Sequence, residues 1–77
     1  IMNDKVLLFT RAFIEKILKS EKEVSFEDRL RLENAVRDLN DKEILDSWTA
    51  FTSSQSEREA QENIKNLLDV LTKKIKL

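Results

Sequence analysis

The sequence predicts an all-α fold, an antiparallel four-helix bundle forming one domain over residues 1–77, on three observations. Apolar residues recur at steps of three and four along most of the chain, the period of helices with one buried face. Three polar breaks interrupt that period, and after each comes a Ser or Asn with an acid three positions on: Ser25/Asp28, Asn40/Glu43 and Ser56/Glu59, the pattern of a helix start. The chain has no Gly or Pro and is 38% charged, which leaves little for extended loops. Amphipathic segments joined by such short links pack as antiparallel neighbours. A three-helix arrangement, with the second and third segments fused, is the alternative.

The first segment runs from Asn3 to about Lys19 and steps inward at Val6, Phe9, Phe13 and Ile17. Leu7, Ile14 and Leu18 widen the stripe, Ala12 leaves room beside it, and Asn3 or Asp4 offers an acceptor for the first-turn amides. Ser20 to Val24 breaks the period. The second helix starts at Ser25 and draws its buried side from Phe26, Leu30, Leu32, Ala35, Val36 and Leu39. Asn40 tolerates the left-handed conformation that closes a helix in the absence of glycine, and the same residue opens the third. That helix carries Ile44, Leu45, Trp48 and Phe51, and the polar run Thr52 to Ser56 is the next loop. The last helix presents Ala60, Ile64, Leu67, Leu68, Leu71 and Ile75 on one face. Its acids come early and its lysines late, as the helix dipole favours.

A 77-residue chain supports one small core, and domains of this size rarely gain more than about 3–5 kcal/mol net. Without cysteine, no disulfide or thiolate metal site supplements it. The absence of His and Cys also removes the commonest metal ligands, acid–base groups and nucleophiles together. Paired carboxylates remain, but Glu27, Asp28, Asp41, Glu43 and Asp46 fall mostly on solvated helix faces. With no glycine to bring phosphate against backbone amides, P-loop and Rossmann sites are excluded. No catalytic residue, cofactor or metal is expected.

Net charge is −1, with an acidic middle and a lysine-rich end. A recognition helix formed by the third segment would meet phosphates with Asp41, Glu43 and Asp46, the wrong sign for nucleic acid. Lys65, Lys73, Lys74 and Lys76 read either as dipole partners of the last helix or as a weak contact to anionic lipid. In the second case each base contributes about 1 kcal/mol. No apolar run approaches the ~18 residues of a spanning helix. The start, Ile1-Met2-Asn3-Asp4, lacks the basic lead of an export signal. Met2 therefore reads as the natural first residue and the cytoplasm as the expected location.

What remains is a surface. Trp48 and Phe51 lie one turn apart on one face, either as core or as the anchor of an interface, where Trp is enriched. Their neighbours Ser47, Thr49, Thr52, Ser53 and Ser54 are small and uncharged, unlike the charged exterior elsewhere. The expected partner-binding residues are Trp48, Phe51, Thr52 and Ser54, with Lys73, Lys74 and Lys76 as a second contact.

The run Val24-Ser25-x-Glu27-Asp28-Arg29, followed by Ala35, Leu39, Asn40, Glu43 and Leu45, resembles the bacteriocin immunity proteins of lactic acid bacteria and their relatives. The resemblance covers about a quarter of the chain, with general agreement in helix layout outside it. It implies a cytoplasmic, non-enzymatic bundle that protects its producer from a pore-forming peptide. Its partner would be the cytoplasmic side of a sugar-transporting permease engaged by that peptide. Two other classes compete. One is a small phage- or plasmid-borne regulator of a cytosolic protein. The other is a homo-oligomeric subunit assembled through the Trp48 face.

Overall fold

The computed structural model describes residues 2–19 and 24–75. Helix α1 spans Met2–Phe13 and continues into a π-helical turn, Ile14–Leu18; α2 spans Phe26–Asp38, α3 Lys42–Thr52 and α4 Glu57–Lys74. Each helix packs on its sequence neighbours, and α1 closes the ring against α4. The result is a four-helix bundle of 33 × 22 × 19 Å. Polar contacts mark the antiparallel register. Lys5 at the start of α1 meets Asp38 at the end of α2, at 3.3 Å, and Lys16 reaches Asp28 at the other end, at 3.9 Å. Asn63 near the start of α4 donates to the Ala50 carbonyl late in α3, while Lys74 at the end of α4 returns to Asp41 and Glu43 at the start of α3.

The boundaries follow local chemistry. Ser25 caps α2 by accepting from the Asp28 amide, and Ser56 caps α4 by accepting from the Glu59 amide, both at 3.1 Å. Asn40 takes a left-handed φ of 54° and stops α2, so the second and third helices are separate. The cap of α3 falls one residue later than expected: the Asp41 carboxylate, rather than Asn40, accepts from the Ile44 amide. At the N-terminus, Asn3 and Asp4 lie inside the first turn of α1, which begins at Met2, instead of preceding it as caps. The expected Ser20–Glu23 part of the first link lies outside the described residues, as does Lys76.

Ten buried residues form one core: Val6, Phe9, Phe13, Leu32, Val36, Leu39, Ile44, Trp48, Leu67 and Leu71. Thr10 sits among them with its hydroxyl donated to the Val6 carbonyl at 2.8 Å, so its polarity is satisfied within the helix. The aromatic residues of α1 and α3 meet across the bundle. Phe9 and Phe13 approach Trp48 edge-on, with centroids 5.8 and 6.2 Å away, and Phe51 closes the group 5.7 Å from Phe13.

The buried stripes are narrower than their sequence periodicity suggests. Leu7 and Leu18 are each 41% exposed. The π turn, marked by the Lys19 amide donating to the Ile14 carbonyl at 2.9 Å, widens the helix end. Ile17 stays against the core there while Leu18 turns outward. On α2, Phe26 is 78% and Leu30 46% exposed, in contrast to the expected burial. The inward face of α2 is Leu32, Val36 and Leu39. Leu30, two residues before Leu32, is rotated by more than half a turn from it.

Asp41 joins the fold to pH. Burial raises its pKa, but the Ile44 amide and the Lys74 ammonium outweigh that and hold the carboxyl below its ordinary 3.8. A depressed folded-state pKa contributes stability above pH ~4 that is lost as pH falls through the folded value. Lys74, raised above 10.5 by hydrogen bonds to Glu43 and Asp41, contributes below that pH and loses its contribution as pH rises through its own folded value. Asp41→Ala is expected to cost about 1–2 kcal/mol at pH 7, the size of a lost N-cap. Asp41→Asn keeps the acceptor and costs less, but flattens the acid limb of stability. Urea melts at pH 7 and pH 3 measure both, and an unchanged acid limb in Asp41→Asn would remove Asp41 from the titration.

Candidate functional site

Where the N-terminal part of α2 faces the C-terminal part of α3, the bundle leaves a hollow of about 280 Å³ lined by Ile17, Val24, Arg29, Trp48, Phe51 and Thr52. Helix periodicity explains the company. Trp48, Phe51 and Thr52 fall one turn apart on the inner side of α3, and Ile17 comes from the widened end of α1. The walls are mostly apolar, and Arg29 sets a guanidinium at the edge.

Trp48 forms the floor. Its side chain is 0% exposed, so the Trp48 of the expected contact surface is instead part of the core. The physical reason is its position on α3 beside Ile44, which points it straight at Phe9 and Phe13. Its one polar group is satisfied, the indole Nε1–H donating to Glu33 Oε1 at 2.8 Å. The other oxygen of Glu33 accepts from Arg37 Nε, also at 2.8 Å. Glu33 thereby ties α2 to α3 with both oxygens engaged.

Phe51 and Thr52 are half-buried on the wall of the hollow. Ser54 is elsewhere: it donates to the Ala50 carbonyl and accepts from Asn63 Nδ2 at 2.9 Å, which makes it a fastener of the α3–α4 link. Lys73 and Lys74 lie at the opposite end of the bundle. Lys73 pairs with Asp69 at 3.0 Å, and Lys74 bridges Asp41 and Glu43 at 3.3 and 3.0 Å. The structure thus brings Trp48, Phe51 and Thr52 together and separates the lysines from them.

Ile17, Val24 and Arg29, which line the hollow, and Phe26 and Leu30 on α2 were not among the expected site residues. On α2, Phe26, Arg29, Leu30 and Glu33 follow one another at i, i+3, i+4 and i+7, so they share one stripe. Phe26 and Leu30 on it are exposed next to the Arg29 edge. Periodicity held the signal: the buried stripe of Leu32 and Val36 extends backwards to Asp28, Arg29 and Ser25, never to Phe26.

Among the described residues no cluster of three or more acids is placed to hold a metal ion, and no helix is long and apolar enough to cross a membrane. Chemically the arrangement offers an apolar hollow, an aromatic ring in water and one cation. No family model, curated protein or solved structure matches the chain.

Proposed function

We propose that this chain is a non-enzymatic binding protein that meets a protein partner through the α2–α3 face. The observation that carries the reading is the position of Phe26. Four of the five aromatic residues share one core cluster, whereas Phe26 stands 78% exposed, one helical turn before Arg29, which lines the hollow. An exposed aromatic next to an apolar recess is the usual form of an interface anchor.

Within that reading the partner is the cytoplasmic side of a permease engaged by a pore-forming peptide, and the protein acts as an immunity factor. Two things support this. The resemblance to bacteriocin immunity proteins rests on Val24, Ser25, Glu27, Asp28 and Arg29, then Ala35, Leu39, Asn40, Glu43 and Leu45, and Val24 and Arg29 among them line the hollow. The hollow is lined by apolar side chains with one hydroxyl and one guanidinium, which suits contact with a protein surface. Peripheral lipid contact through Lys73 and Lys74 is secondary, because both are engaged by carboxylates.

The test is protection of a bacteriocin-sensitive Gram-positive host expressing the chain, challenged with a panel of pore-forming peptides. Wild type is expected to protect against one subgroup. Phe26→Asp should abolish protection while helicity and melting stay unchanged, since the residue is 78% exposed. Absence of protection from every peptide, with one soluble partner recovered by wild type and lost by Phe26→Asp, would favour the cytosolic regulator instead. Full protection by Phe26→Asp would remove the α2–α3 face from the mechanism.

A further inference from the structure

On the other side of α2, the seam with α1 carries a second apolar surface. Leu8 is 69% exposed beside a groove of about 230 Å³ floored by Ala12, Ala35 and Leu39 and edged by Lys5 and Asp38. Ala12 and Ala35 are too short to fill the space between their helices. The patch therefore holds both a projecting aliphatic side chain and a recess for one. It also carries both signs of charge: Lys5 on α1 and Asp38 on α2, 3.3 Å apart. The same order, cation on α1 and anion on α2, recurs at the far end of the seam in Lys16 and Asp28.

We infer that this seam is a homodimer interface and that its occupant is a second copy of the chain. A twofold contact must be complementary to itself, and the seam meets that condition in shape and charge together. With the twofold axis lying along the seam, α1 of each copy rests antiparallel on α2 of the other. Lys5 then comes over the partner's Asp38, Leu8 over the recess between the partner's Ala12 and Ala35, and Lys16 over the partner's Asp28. A standard interface takes about 800 Å² from each partner, about one seventh of a 5745 Å² surface. The α1–α2 face of a molecule 33 Å long provides for a weak, concentration-dependent dimer. The seam leaves the α2–α3 face open, so dimerisation is independent of the partner contact proposed above.

Sedimentation equilibrium from micromolar to near-millimolar concentration tests this. Wild type is expected to pass from monomer to dimer across that range, and Leu8→Glu to stay monomeric with unchanged circular dichroism. Lys5→Asp and Asp38→Lys should each weaken dimerisation at least about tenfold, since each places like charges across the seam twice. Mixed in equal amounts they should recover it, because the acidic seam of one then faces the basic seam of the other. That recovery separates an interface from a local fold defect. Phe26→Asp should dimerise like wild type. A wild type that is monomeric throughout, a Leu8→Glu variant that dimerises normally, or a mixture no stronger than its components would each overturn the inference.

Discussion

Trp48→Ala is expected to cost about 3–5 kcal/mol and to leave the chain largely unfolded at 25 °C. A 77-residue domain rarely gains more than about 3–5 kcal/mol net, so one large cavity removes much or all of it. The indole is fully buried and touches Phe9, Phe13 and Phe51, which belong to two different helices. Its loss empties the junction between α1 and α3 and frees Glu33 Oε1 from its donor. Trp48→Phe separates the two contributions. It keeps most of the apolar volume, loses the Nε1–H, and should cost about 1.5–3 kcal/mol, the scale of a lost hydrogen bond to a charged acceptor. Urea melts followed by circular dichroism measure both. An unchanged midpoint for Trp48→Ala would contradict the burial of the indole.

Phe13→Ala is expected to be nearly as severe, again about 3–5 kcal/mol. Phe13 ends the regular part of α1 and contacts Phe9, Trp48 and Phe51. Nothing else on α1 reaches Phe51 among the ring contacts of the cluster. Because alanine at both Phe13 and Trp48 would leave no folded state to measure, their coupling is read with Phe13→Leu and Trp48→Phe. The two should be non-additive by about 0.5–1.5 kcal/mol, the excess that edge-to-face pairs contribute beyond burial. Additivity within about 0.3 kcal/mol would mean that the rings act only through the area they bury.

Much of the architecture was legible in the chain because it depends on neighbours in sequence. Ser25 and Ser56 announce α2 and α4, and both hydroxyls make the expected bonds to amides three residues on. Asn40 does what a left-handed helix stop requires. The shift of the α3 cap to Asp41 was harder to see, since Asn40 and Asp41 are both good acceptors. With Asn40 in the left-handed region closing α2, the extended conformation of a cap falls to Asp41.

The candidate site was legible only in part. Trp48, Phe51 and Thr52 were recognisable as one side of a helix, and they do line one hollow. Whether that side faced water or Phe9 and Phe13 depended on where α1 lay, some 35 residues away in sequence. Which of the six apolar residues offered by α2 are buried is decided in a related way. A phenylalanine right after a helix cap suggests burial by composition, but its phase against Leu32 and Val36 points it outward. Lys74 looked like a dipole partner or a lipid contact until the start of α3 supplied Asp41 and Glu43.

By itself, the sequence determined the four helices, the caps of α2 and α4, the stop at Asn40 and the residue types available for chemistry, because capping, periodicity and residue chemistry act within a few positions. Only the tertiary structure decided which apolar residues were surplus to the core. Burial depends on how helices distant in sequence close around one another: that closure took Trp48 inside and left Phe26, Leu30 and Leu8 in water.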